Sequence, residues 1–285
     1  YLGATGRIAG IEEMEKRMSR DPYIRPYSSA LDQDFLKLPV VGPGGPGKLP
    51  DAEAVMMCRP DAVVASHLNP ADIENLQSRT GIPVISICYG ELGVWRQEAR
   101  ASLTILGEAL GLEERARGLN EYIETLEKDL AQRSSVRTNP PSVYFGGISY
   151  RGSHGIAATQ ADYPPGAMVN AANLAGETGR SGHLFIDREK ILAWDPDFIF
   201  VDLGSKFILE KDFTVNREFY RLLKAVRSKK VFSLLPYNYY NTNMESALLN
   251  AYFIGKLLYP GRFKDVSMHE KADEIFHAFL GIKIE

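Results

Sequence analysis

The sequence predicts an α/β protein built as two Rossmann-like lobes with mainly parallel sheets, joined by one long interlobe helix. Three features carry that reading. Residues 51–66, DAEAVMMCRPDAVVAS, align without a gap onto 187–202, DREKILAWDPDFIFVD. Each copy ends in a short all-apolar run, the pattern of a parallel strand covered on both faces. Between the copies, residues 94–134 are almost free of proline and rich in helix formers.

The elements follow in order. In the first copy Asp51 is expected to cap a short amphipathic helix, and Pro60-Asp61 turns the chain because proline cannot donate to a continuing helix. The strand Ala62–Ala65, the helix Pro70–Arg79 and the strand Pro83–Cys88 complete a β-α-β unit. Val94–Leu110 then forms one helix, Gly111 with Leu112 breaks it, and Glu113–Ser134 forms a second of about 20 residues, hence about 30 Å. Ile123, Leu126 and Leu130 give that helix an apolar stripe, while Glu121, Glu124, Glu127 and Lys128 face water. Asn139-Pro140-Pro141 stops it before the strand 142–147. In the second copy Asp187 opens the helix, Pro196-Asp197 makes the turn, and the strand Phe198–Val201, the helix Asn216–Arg227 and the strand Lys230–Leu235 repeat the plan. The expected division is an N-terminal lobe over 1–112, the interlobe helix over 113–134 and a C-terminal lobe over 135–285.

A chain of 285 residues, 45 % apolar and 24 % charged with net charge −3, has the make-up of an ordinary globular protein. It has no global basic field for nucleic acid or an anionic membrane, so a small ligand or a protein is the expected partner. Cys58 and Cys88 end apolar runs and read as buried structural thiols rather than a disulfide. No window approaches the roughly 20 continuous apolar residues of a membrane helix. Catalytic motifs are missing as well: the chain has no G-x-S-x-G, H-E-x-x-H or Walker loop, and no G-x-G-x-x-G after a strand. Ser149 or Ser153 with His154 would lack the oriented third partner of a triad, so the protein is read as a binder and not an enzyme.

The segments Leu2-Gly3-Ala4-Thr5-Gly6-Arg7-Ile8-Ala9-Gly10-Ile11, the paired helix-Pro-Asp-strand units, and Asn243–Ala251 with Gly255–Pro260 together resemble a known family. It is that of the ABC-importer solute-binding proteins in which two α/β lobes are joined by a long helix. Its members bind ferric siderophores, haem or vitamin B12, and one branch binds molybdate or tungstate. The resemblance implies a ligand held between the lobes and delivered to a membrane permease, a monomer outside the cytoplasmic membrane, and a signal peptide or lipid anchor removed from this chain. It also implies a first strand and helix ahead of Leu2.

Ligands of parallel sheets bind beyond the carboxyl ends of the strands. On that rule the site is lined by His67 and Glu91 from the N-terminal lobe, with Ser149, Tyr150, Arg151 and His154 from the stretch GGISYRGSHG. Tyr237, Tyr239 and Tyr240 join them from the last strand end. Arg151 offers a planar fork for an oxyanion or carboxylate. His154 can donate to an anion or ligate a metal. Two of the four tyrosines are expected to touch the ligand with their flat amphipathic rings. His67, His154 and His183 as a site for a bare divalent ion is a weaker reading, because His183 reads as loop. The glycine-rich run 42–48 reads as a turn. No cofactor is expected, and the ligand is a metal chelate or a metal oxyanion. The tyrosine cluster favours an iron(III) chelate, with molybdate or tungstate as the alternative. Asp72, Glu74, Glu210 and Glu218 are the candidates for docking on the permease, one from each lobe.

Overall fold

The repeated unit is present twice. The computed structural model describes residues 1–18, 21–45, 47–88, 95–135, 140–150, 152–240 and 242–283. After a 3-10 turn at Thr5–Arg7 come α1 (Glu13–Arg17), α2 (Ala52–Cys58), β1 (Val63–Ser66), α3 (Pro70–Thr80) and β2 (Val84–Ile87). The long helical region is α4 (Trp95–Leu110) and α5 (Glu113–Arg133). The rest comprises β3 (Ser142–Gly146), β4 (Ala158–Gln160), α6 (Pro164–Ala167), β5 (Ala172–Asn173), β6 (His183–Phe185), α7 (Arg188–Trp194) and β7 (Phe198–Asp202). It continues through α8 (Lys206–Val215), α9 (Arg217–Leu222), α10 (Lys224–Arg227), β8 (Val231–Leu234), α11 (Met244–Leu258) and α12 (Met268–Leu280).

Both copies pair their strands in parallel, Val63 opposite Val84 in the first and Ile199 opposite Val231 in the second. The second belongs to a four-stranded sheet of order β5-β3-β7-β8, with β4 and β6 as a separate antiparallel pair. The copies also share a backbone detail. Arg59 and Asp195, each just before the proline, sit at φ 48 and φ 40. Proline bars its predecessor from the right-handed helical region, and both chains leave their helix through the left-handed one.

The structure corrects several expectations. Asp51 caps α2 by accepting from Ala54 N at 2.9 Å, but Asp187 makes no such bond at α7. Residues 216–227 are not one helix, because Leu223 turns extended (ψ 128) and is fully buried between α9 and α10. The helix α8 was not foreseen, and it buries none of its residues, so no apolar stripe announces it. β7 buries Phe198, Ile199 and Phe200, whereas Val64 in β1 is 48 % exposed, so the first copy is not covered on both faces. Cys58 is half-buried, Cys88 is exposed, and both are free thiols lying where elements end rather than inside the core.

The stripe on α5 forms as expected: Ile123, Leu126 and Leu130 are buried in one core with Val143, Phe145, Leu248 and Phe279. The helix is fastened at both ends. Near its start Arg115 donates to Tyr1 O at 3.0 Å and to Ala278 O. At its end Arg133 holds both Asp265 oxygens at 2.8 and 2.9 Å, and Tyr252 donates to Asp129 at 2.7 Å. Among the described residues no helix is long and apolar enough to cross a membrane.

Candidate functional site

All strands of the four-stranded sheet run the same way, so the loops after β3, β7 and β8 gather on one edge. The loop after β7 is the scaffold. Asp202 accepts from Gly204 N at 2.7 Å, Gly204 O accepts from Ser153 Oγ at 2.8 Å, and Ser205 Oγ accepts from His154 N at 3.1 Å. Burial pushes the Asp202 carboxyl up to about 7. From the loop after β8, Asn238 donates to Ser149 O at 2.7 Å.

On this scaffold Tyr150 stacks on His183 with ring centroids 4.8 Å apart, and His154 lies 5.8 Å from His183. Phe185 packs in T-shaped contact with both imidazoles, at 5.1 and 5.0 Å between centroids. His154 Nε2 is 2.8 Å from Tyr150 O, and His183 Nε2 is 3.3 Å from Ile148 O. A carbonyl oxygen only accepts, so each Nε2 carries the proton and each Nδ1 is left with a lone pair in the neutral ring. Burial pulls His183 below the ordinary histidine value, the Ile148 carbonyl raises it in part, and His154 lowers it further.

A cavity of about 910 Å³ lies on the N-terminal side, against the chain around Ile8–Glu12 and Ala62–Leu68. Its walls include apolar Val64, Ile85, Leu103, Leu106 and Leu110, with Glu12, Lys48, Ser66 and His67 as polar groups. Tyr240, from the far end of the chain and two residues beyond the Asn238 that holds Ser149, also lines it.

The expected site residues therefore divide. Ser149, Tyr150 and His154 come together around the loop after β3, joined by His183, which lies in β6 and not in a loop. His67 and Tyr240 line the cavity instead. Tyr239 is half-buried. Tyr237 is a core residue, 1 % exposed, with its hydroxyl donated to Gln160 at 2.8 Å, so it is removed from the ligand-facing set. Arg151 and Glu91 lie outside the described residues. Of the docking candidates, Glu74 on α3, Glu210 on α8 and Glu218 on α9 are exposed, and Asp72 is partly so. Asp72 accepts from Asn69 at 2.6 Å, Glu210 is 3.9 Å from Lys206, and Glu218 is 3.2 Å from Arg221.

Sequence reasoning missed Glu12 and Phe185, and it grouped His154 with His183 only in the weaker divalent-ion reading, because His183 reads as loop rather than as part of β6. Glu12 directly follows the apolar stretch ending at Ile11, which forms an isolated parallel bridge with Val40. The antiparallel pair that brings His183 opposite Gln160 had no sequence signal of its own.

Residues 2–237 match the periplasmic binding protein family. The molybdate-binding protein MolA of Haemophilus influenzae is 22 % identical over 98 % of this chain and 81 % of its own length. Its molybdate-bound structure superposes with a TM-score of 0.73 at 19 % identity, covering 100 % of this chain and 89 % of that one. The nickel-bound CeuE of Helicobacter pylori gives 0.69 at 17 % identity, covering 99 % and 87 %. The haem-binding HutB of Vibrio cholerae gives 0.65 at 18 % identity, covering 91 % and 93 %. This chain belongs to the periplasmic binding protein family and is a solute-binding protein of the ABC-importer type.

Proposed function

We propose that the protein captures a chelated metal ion of the iron(III)-siderophore type outside the cytoplasmic membrane and hands it to an ABC permease. The observation that carries this reading is the His154–His183 pair, in which both Nε2 protons go to backbone carbonyls. Backbone partners of that kind fix the tautomer of a metal-ligating histidine. Imidazoles whose Nε2 protons are donated to carbonyls turn Nδ1 to the ligand, and a Nδ1 lone pair suits a metal centre better than an anion, which needs donors. Among the described residues no group of three or more His, Cys, Asp or Glu is placed to hold a metal. A bare divalent ion wants three or four protein ligands. A chelated one brings most of its own and needs only one or two from the protein, with Tyr150 as a flat wall beside them.

A second reading is a molybdate-type oxyanion, favoured by the MolA relative and by Arg151 in the same loop. A thermal-shift panel of ferric siderophores, ferric citrate, haem, cobalamin, molybdate and tungstate separates the two. A ligand at 100 times its dissociation constant stabilises by about 2.7 kcal/mol. Stabilisation by ferric chelates alone supports the first reading, by molybdate or tungstate alone the second, and a silent panel removes both.

A further inference from the structure

Tyr240 holds a backbone conformation that a bulky aromatic rarely adopts, with φ at +66. Such a residue persists where its surroundings over-determine it, and outliers of this kind gather at ligand clamps. What holds Tyr240 comes from the other end of the chain: its hydroxyl donates to Glu12 Oε1, a bond between residues 228 apart. Glu12 lies directly against Gly44, which sits at φ +77; a Cβ there would come within 2.6 Å of Glu12 Oε2 and 2.9 Å of its Cβ. Only a glycine leaves room for the carboxylate in this place. Glu12, Gly44 and Tyr240 all line the large cavity. Among the described residues no cation stands within ion-pair distance of Glu12, and the Tyr240 hydroxyl is its hydrogen-bond partner. Burial, with the Glu12 carboxylate next, pushes that hydroxyl up, so it remains a donor.

We propose that Glu12 is a specificity-determining residue: it latches Tyr240 through the hydroxyl, and its charge selects neutral or cationic chelates over anionic ligands. This rests on the proposed function, with Glu12 and Tyr240 flanking the ligand's approach to the loop that Asn238 ties at Ser149. A ligand entering there either displaces the Tyr240 hydroxyl or meets the carboxylate at close range. Gly44 leaves the room in which that charge stands, and the Tyr240 hydroxyl is the group that holds it.

The test uses wild type, Glu12→Gln and Tyr240→Phe, with calorimetric titration of molybdate and of ferric hydroxamates differing only in the net charge of their periphery. Glu12→Gln is expected to tighten the anionic chelate and molybdate by roughly tenfold and to leave the neutral chelate within about twofold. Tyr240→Phe is expected to keep the order of preference by charge, while amide exchange over 235–240 quickens in the ligand-free protein because the latch is lost. An unchanged order in Glu12→Gln, in a wild type that binds, overturns the filter and leaves the proposed function standing. Unchanged exchange in Tyr240→Phe overturns the latch. If wild type binds none of these ligands, the proposed function falls, and the inference with it.

Discussion

Asp202 Oδ1 accepts the Gly204 amide at 2.7 Å, while Oδ2 of the same carboxyl is buried with no hydrogen-bond partner. A half-satisfied buried carboxyl favours its protonated form. Glu245 is in the same position, with burial pushing it up to about 7 although its bond from Tyr1 works in the other direction.

The consequence is a stability that falls towards alkaline pH. Burial has raised Asp202 from 3.8 to about 7 and Glu245 from 4.5 to about 7, so the folded chain binds protons that the unfolded chain releases between pH 4 and 7. Their contribution is fully present below the unfolded values and is lost as pH rises through about 7. His183, held low, acts oppositely and withdraws stability as pH falls below 6.5. Denaturant unfolding at pH 5.5 should give a stability a few kcal/mol above that at pH 8.5. Asp202→Asn should flatten part of that slope. Equal stability at the two pH values would contradict the burial argument.

The pH dependence of binding distinguishes the two ligands. Coordination through the neutral His183 imidazole should stay level above pH 6.5 and weaken only below it, because burial holds that imidazole under the ordinary histidine value. An oxyanion held by imidazolium would tighten over the same descent. His154→Ala and His183→Ala should each weaken a ferric chelate by roughly 10–100-fold, and the double variant should lose the acid-side fall. Calorimetric titration between pH 5 and 8 reads both.

Two helical glycines should respond to alanine with opposite signs. At Gly118 in α5 a Cβ meets nothing within 4 Å, so Gly118→Ala should stabilise by about 0.5–1 kcal/mol through helix propensity. At Gly255 in α11 the same Cβ would stand 2.4 Å from the ring of Phe263, which is fully buried. Gly255→Ala should therefore cost about 1–3 kcal/mol despite the better helix former. Urea midpoints of the two variants, against wild type, settle the signs.

Docking on the permease is proposed to use one carboxylate from each end of the molecule. Reversing Asp72, Glu74, Glu210 and Glu218 to lysine should abolish stimulation of the transporter ATPase while ligand affinity stays unchanged. Asp72→Lys should also loosen the start of α3, where Asn69 holds Asp72. Full stimulation by the fourfold variant would remove the proposal.

Much of the scaffold was legible because its signals are local. The Pro-Asp turns, the apolar runs and the Ile123, Leu126 and Leu130 stripe each follow from neighbours a few residues apart, and each appears where the pattern places it, within a residue or two at the strand ends. The break at Leu223 was not legible, because burial of that one side chain overrides a helical pattern that continues through it.

The candidate site divides along the same line. Sequence by itself determined that the loops after β3, β7 and β8 would carry Ser149, Tyr150, His154 and Tyr240, since parallel strands bring their ends to one edge. Only the tertiary structure decided their parts. It sent Tyr237 into the core to satisfy Gln160, brought His183 beside His154 through an antiparallel pair, and tied Tyr240 to Glu12 across 228 residues. The physical reason is range. Helix and turn preferences act over a few bonds, whereas a hydrogen bond or ring contact between distant residues exists only once the packed core has fixed both at that distance.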